Sequence, residues 1–333
     1  MVANLPKQLR KVTDKALLKR LSDGLERVEE SIDKAVAQSD PIADQTSRHL
    51  TSAGGKRVRP TLLMLTSQFG EGITQRVVDA SVVVELTHLA TLYHDDVMDE
   101  APMRRGVKTA HEIWGNSVAI ITGDLLFARA SQLVADLGGD ALKLQADTFE
   151  RLCLGQLHET MGPQAGDEAV AHYIQVLADK TGSLIATAAE MGIIYSNADS
   201  AYRQPVRDFG EKIGVAFQLI DDVIDLQSDG KTSGKTQGTD LLAHVDTLPT
   251  LYLRQLASVD DEARALLAEV DAVTPETLQG VIDQLKTHPV TQRTFDEAKR
   301  WADEAVSALA TLPDGPAKQA MIAFAEAVID RRN

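Results

Sequence analysis

The sequence predicts an all-α fold: a bundle of long antiparallel helices around a central cavity. Three observations predict it. Apolar residues recur at helical spacing along almost all of the 333 residues. Aromatic residues make up only 4% while Ala, Leu and Val abound, a balance that favours helix over sheet. No series of alternating short segments bounded by turns is present, nor a repeat of 20–50 residues, nor a Gly/Ser linker. The length permits one large domain or two ordinary ones, and without a linker residues 1–333 read as one domain.

Taken in order, "LLKRLSDGLERVEESIDKAV" places Leu17, Leu18, Leu21, Leu25, Val28, Ile32 and Val36 on one helical face. "PTLLMLTSQFG" opens on Pro60, suited to a first helical turn, and closes on Gly70. Next comes a long, mostly buried helix from about Gln75 to Asp99. Val82, Val83 and Val84 would suit a strand, but they lie inside a run without glycine or proline. Pro102 and the loop to Gly106 end that helix. Further helices are expected at Ser117–Asp136, Asp140–Met161, Glu168–Ser196, Tyr202–Leu226, Leu248–Leu256, Asp260–Val270, Pro275–Leu285, Val290–Leu312 and Pro316–Arg331. The main polar interruption is "QSDGKTSGKTQGTD", residues 227–240. From Ser258 onward the chain reads as packing and solvated helix faces.

A net charge of −15 argues against a nucleic-acid partner, which would need a basic stripe. A local basic cluster can still oppose that field and hold an anion. Cys153 is the only cysteine, which suits a reducing cytoplasm and a role as core filler. The amino-terminal stretch has no apolar core, and no run reaches about 18 apolar residues, so no membrane span is expected.

The chemistry concentrates at two helix ends. In "YHDDVMDEAPMRRG", Asp95 and Asp99 stand at i and i+4, on one face with Cβ atoms about 5–6 Å apart. Asp96 lies about 100° around the helix. Negative charge at a helix C-terminus opposes the macrodipole, so a solvated acidic end is a poor explanation. Hard cations such as Mg²⁺ take such carboxylates and complete their shells with water and phosphate oxygens. "FQLIDDVIDLQSDG" repeats the spacing at Asp221, Asp222 and Asp225. Two such helix ends brought together would hold several divalent cations and, through them, a polyanion. Basic residues follow the same logic. "GGKRVRP" supplies Lys56, Arg57 and Arg59; Arg104 and Arg105 follow the first acidic cluster; "DKTGSL" supplies Lys180 and Thr181; "SGKTQGTD" supplies Lys235. Each alone suits a surface charge, and together they suggest two anionic sites, Arg forks matching phosphate oxygens. His88 lies two turns before Asp95 on the same face, where a phosphate contact explains it better than core packing. His94 carries no assignment.

By these motifs the chain resembles the trans-prenyltransferases, the head-to-tail (E)-polyprenyl diphosphate synthases of isoprenoid-synthase fold. "GGKRVRP", "ELTHLATLYHDDVMDEAPMRRG", "GNSVAIITGDLL", "GQLHE", "DKTGSLI", "FQLIDDVID", "GKTQGTDL" and "TLP" occur in that family's order. The resemblance implies that isopentenyl diphosphate condenses with an allylic diphosphate, such as farnesyl or geranylgeranyl diphosphate, by ionisation, condensation and elimination. It implies several Mg²⁺ ions, with Mn²⁺ a substitute, held by Asp95, Asp96, Asp99, Asp221, Asp222 and Asp225, the first and last of each motif bearing most of the metal. Arg104, Lys180 and Lys235 would hold the allylic diphosphate. Lys56, Arg59, His88 and Arg105 would hold isopentenyl diphosphate, and Thr181 and Gln218 would line the reacting centre. Val245 stands where the family often has a lysine, and no ligand role is carried over there. A cytoplasmic homodimer with transient membrane contact for product release completes what the resemblance implies.

Thr87, Ala90 and Thr91 form a stripe of small residues, Ala90 about 7.5 Å below Asp95 along the helix. Short-chain relatives carry bulky aromatics at the positions of Ala90 and Thr91. Their absence predicts a long product, hexaprenyl to decaprenyl, for a quinone side chain. The rival function is that small residues merely let helices pack closely. Other readings are a shorter-chain synthase, a class I terpene cyclase, and a non-catalytic metal-binding bundle. The cyclase expects a different second metal motif. The bundle reading notes that Glu85 and His88 form an E-x-x-H, but no second copy exists.

Overall fold

A computed structural model describes residues 14–227 and 237–330. Sixteen helices are found among them: α1 (Lys15–Val36), α2 (Pro41–Ser52), α3 (Val58–Thr66), α4 (Gln75–Met98), α5 (Ala110–Trp114), α6 (Asn116–Leu137), α7 (Asp140–Met161), α8 (Ala169–Leu177), α9 (Ser183–Tyr195), α10 (Arg203–Gln227), α11 (Thr239–Leu242), α12 (Leu248–Ala257), α13 (Asp261–Asp271), α14 (Leu278–Thr287), α15 (Pro289–Ala308) and α16 (Pro316–Ile329). The all-α expectation holds. The one sheet among the described residues is a two-residue hairpin, β1 (Met103–Arg104) with β2 (Val107–Lys108).

The chain divides into two compact units. The first comprises residues 1–150, 184–210 and 309–323; the second comprises 151–183, 211–308 and 324–333. In the first, the apolar face of α1, with Leu17, Leu21, Leu25, Val28 and Ile32, is buried together with Leu62–Leu65 of α3 and Val77, Val78 and Val82–Val84 of α4. The valine triplet is therefore helix interior, as its setting requires. Helix α4 also packs closely against α6: a Cβ on Gly123 would fall 3.2 Å from the Ala90 carbonyl and closer still to the His94 ring. In the second unit, Leu177, Val215, Leu219, Leu248, Leu253, Ile282 and Leu285 form the core of α8, α10, α12 and α14.

Four expectations change. Helix α2 was not anticipated from periodicity, because its sequence is polar and short; its signals were capping ones, Asp40 accepting from the Ile42 and Ala43 amides and Pro41 in the first turn. The single helix expected over Glu168–Ser196 is interrupted by a π turn at Ala178–Gly182. Cys153 is exposed, not core: α7 carries it on an outward face. Finally, α6 is apolar and long enough to cross a membrane by length and composition, and only 33% of its apolar stretch is buried. Scattered polar residues interrupt the apolar run that would mark it in the sequence.

Candidate active-site clusters

In the first unit α4 delivers the first acidic motif. Its last turn carries Asp95, Asp96 and Asp99, with the Asp99 amide donating to the Asp95 carbonyl at 2.8 Å. The helical twist separates them: Asp95 is half-buried and Asp99 exposed, while Asp96 is 1% exposed. Arg104 Nε donates to Asp96 Oδ1 at 2.6 Å, and Asp96 Oδ2 is buried without a hydrogen-bond partner among the described residues. Burial pushes the Asp96 carboxyl above its ordinary value although Arg104 pulls the other way.

The hairpin places the two arginines. Its turn residues, Arg105 at φ 54° and Gly106 at φ 80°, are both left-handed, as a two-residue I′ turn requires. Arg104 therefore reaches back to Asp96. Arg105 donates to the Leu50 carbonyl at 3.2 Å and to the Gly54 carbonyl. Its guanidinium covers Gly55, where a Cβ would meet it at 3.1 Å. The diglycine thus admits Arg105 beside the basic loop.

Around that loop the expected cations converge. Lys56 is exposed and Arg59 half-buried, its Nε buried with no hydrogen-bond partner among the described residues. Burial pushes Arg59 down to about 10, with Arg105 adding to the shift and Glu85 and Asp95 opposing it. Burial also holds His88 well below its ordinary value, helped by the charges of Arg59, Arg105, Arg104 and Arg57. Four cationic or imidazole groups close enough to perturb one another make a site suited to a polyanion. Arg57 turns away from this set and is buried against Glu85. His94, which carried no assignment, contacts the Ile120 carbonyl at 3.1 Å and packs on α6.

The small-residue stripe also lies in this unit. Thr87 and Ala90 are buried and Thr91 is half-buried. Thr87 accepts from Gln145 Nε2 at 2.7 Å, while Gln145 Oε1 is buried without a hydrogen-bond partner among the described residues. The Ala90 carbonyl lies at the α4–α6 contact beside Gly123.

In the second unit the second motif ends α10. Asp222, 7% exposed, accepts from the Tyr173 hydroxyl at 2.9 Å and from the Leu248 amide at 3.3 Å. Burial raises its carboxyl well above the ordinary range, against the Tyr173 hydrogen bond. Asp221 and Asp225 are half-buried, and Asp225 accepts from Thr239 Oγ1 at 3.0 Å. Gln218 stands one turn before Asp221 and is half-buried, on the same helix face. Lys180 and Thr181 sit in the π turn, where Lys180 is ion-paired with Glu159 of α7. Two glycines make room for that turn: a Cβ on Gly155 would fall 2.9 Å from the Lys180 amide nitrogen, and one on Gly182 2.9 Å from the Glu211 carbonyl. Arg151 braces the same segment, bonding Asp179 at 2.7 Å and Glu211 at 2.6 Å. Sequence reasoning missed Glu159, Tyr173 and Arg151; Glu159 lay in "GQLHE" without a role. Lys235 lies outside the described residues.

Among the described residues no three His, Cys, Asp or Glu side chains gather as a metal cage. Each motif instead offers carboxylate oxygens at a helix end. Such a donor set fits a hard divalent cation that takes its remaining ligands from water and phosphate.

Comparison with known proteins gives a consistent picture. The sequence profile of the polyprenyl synthetase family matches residues 40–285. A nonaprenyl diphosphate synthase of Mycobacterium tuberculosis is 41% identical over 313 residues, covering 92% of each chain. Among solved structures, a geranylgeranyl pyrophosphate synthase from Corynebacterium glutamicum, complexed with calcium and isoprenyl diphosphate, superposes with a TM-score of 0.84 at 38% identity, over 96% of this chain and 98% of that one. A decaprenyl diphosphate synthase from Rhodobacter capsulatus gives a TM-score of 0.85 at 30% identity, over 96% and 99%.

Proposed function

The chain belongs to the polyprenyl synthetase family, and on that premise we propose that it condenses isopentenyl diphosphate with an allylic diphosphate to give a long all-trans polyprenyl diphosphate. The chemistry is prenyl transfer. The family depends on divalent metal; Mg²⁺ is the ion proposed here, with Mn²⁺ as a substitute. The observation that carries the reading is common to both acidic helix ends. In each, the middle aspartate is buried against a partner, while the first and last lie at the helix terminus.

In this reading Asp95, Asp99, Asp221 and Asp225 hold the metal. Bound Mg²⁺ supplies positive charge to the departing diphosphate. Arg104, Lys180 and Lys235 grip the allylic diphosphate, so that charge developing on its oxygens meets fixed cations. Lys180 exchanges Glu159 for the substrate as it does so. Lys56, Arg59, His88 and Arg105 orient isopentenyl diphosphate, and Thr181 and Gln218 border the carbon–carbon bond that forms. No side chain stands out as a base for the final deprotonation, which the displaced diphosphate can perform.

The product range proposed is hexaprenyl to decaprenyl, for a quinone side chain, from a farnesyl or geranylgeranyl diphosphate primer. Residues 1–333 work as one catalytic domain in the cytoplasm. Apolar side chains left exposed on α6 and α7, among them Ile120, Ile121, Leu142 and Phe149, support a homodimer. Product release calls for brief membrane contact. Incubation with farnesyl diphosphate, isopentenyl diphosphate and Mg²⁺ tests the reading: chains of thirty to fifty carbons are expected. A hydrocarbon product or none overturns it.

A further inference from the structure

Two residues singled out by the sequence remain without a role: Arg57 of "GGKRVRP" and Glu85 of the lone E-x-x-H. The structure joins them. Arg57 Nη1 donates to Glu85 Oε1 at 2.7 Å, and both side chains are 2% exposed. The other edge of the guanidinium forks onto Glu29 of α1, Nε at 2.6 Å and Nη2 at 2.9 Å. The same residue begins α3, its carbonyl accepting from the Thr61 amide at 3.0 Å and the Thr61 hydroxyl at 2.8 Å. Its backbone is left-handed at φ 45°, a conformation that an arginine adopts only under constraint. Three charge-assisted bonds provide the constraint.

The placement of this ion network matters for its neighbours. Lys56 precedes Arg57 directly and is exposed, and Arg59 follows two residues later and is half-buried. Glu85 stands one turn before His88 on α4. Its carboxylate favours the charged forms of both Arg59 and Arg105. With Asp95 acting on Arg59 and Glu29 on Arg105, it supplies negative charge beside a cluster of cations and an imidazole.

We propose that Arg57 and Glu85, with Glu29 behind them, are positioning residues for the isopentenyl diphosphate site: they lock the left-handed turn that aims Lys56 and Arg59. The ligand's identity rests on the function proposed above. Removing the lock releases the turn and misplaces two of the phosphate-binding side chains. The allylic diphosphate uses other residues, so its binding is spared.

The test measures steady-state kinetics with each substrate varied in turn, binding of isopentenyl diphosphate by titration calorimetry, and thermal unfolding. Arg57→Gln is expected to raise KM and Kd for isopentenyl diphosphate about tenfold or more, with KM for farnesyl diphosphate and kcat changed less than about threefold. Arg57→Lys, a point charge that cannot fork, should fall between. Arg57→Gln combined with Glu85→Gln should be no worse than Arg57→Gln alone, since the pair acts as a unit. If the buried variants fail to fold, Glu29→Gln at the half-exposed end decides, with an expected rise of about threefold in KM for isopentenyl diphosphate alone. A folded Arg57→Gln or Glu29→Gln protein with unchanged KM and Kd overturns the inference. So does a loss shared equally by both substrates and kcat. A wild-type protein that makes no prenyl product overturns instead the function on which it rests.

Discussion

At the scale of single residues, the two aspartate motifs are not runs of equivalent ligands. Asp96 is tied to Arg104, and Asp222 to Tyr173 and the Leu248 amide. Asparagine at 222 keeps the shape and the acceptor oxygen while removing a charge that burial disfavours. Asp222→Asn should therefore leave the melting temperature unchanged or higher, whereas Asp95→Asn and Asp221→Asn should lower kcat by about 10²–10³-fold without altering it. Calorimetry and single-turnover kinetics on the same preparations separate these outcomes. His88 gives a pH prediction. Its folded-state value is lowered from 6.5, chiefly by burial and then by Arg59, Arg105, Arg104 and Arg57. The folded protein thus binds fewer protons there than the unfolded chain as pH falls below 6.5. Stability from this group is complete above 6.5 and declines as pH drops toward the lowered value. Unfolding midpoints measured between pH 8 and 5 should show that decline in the wild type and a shallower one in His88→Gln.

At the scale of elements, the helices were legible because periodicity and capping are local. α4, α6, α7 and α10 fall within a residue or two of their expected bounds. The acidic clusters were legible for the same reason, since i, i+4 spacing fixes a shared face. What escaped was set by partners remote in sequence. The π turn exists where Gly155 of α7 comes against the Lys180 amide, and nothing within "DKTGSL" announces that contact. Gly155→Ala should push the π turn out of place, costing about 1–3 kcal/mol in denaturant unfolding and lowering kcat together with affinity for the allylic substrate. The inward turn of Arg57 likewise required knowing where Glu29 and Glu85 lie. The small-residue stripe on α4 is a mixed case: Ala90 is fully buried, its carbonyl beside Gly123, yet Thr91 remains half-buried. Ala90→Phe should shorten the products read by chromatography, and unchanged lengths would remove α4 as the wall that limits growth.

For the whole molecule, the question is how a protein of net charge −15 keeps so apolar a helix as α6. An assembly of two copies would cover it. Ile121→Glu should convert a dimer to monomer in sedimentation velocity, with the helical circular dichroism signal retained. Helix α7 carries Leu142, Phe149, Cys153, Leu157 and Met161, all exposed, at spacings that keep them near one side. The sole thiol of the chain therefore stands within an apolar strip, with partial desolvation of the thiol already discouraging its ionisation. That makes the wild-type protein its own reporter. If the strip is covered on association, alkylation of Cys153 will slow as concentration rises, and a single reactive sulfur will count free subunits without any label having been introduced.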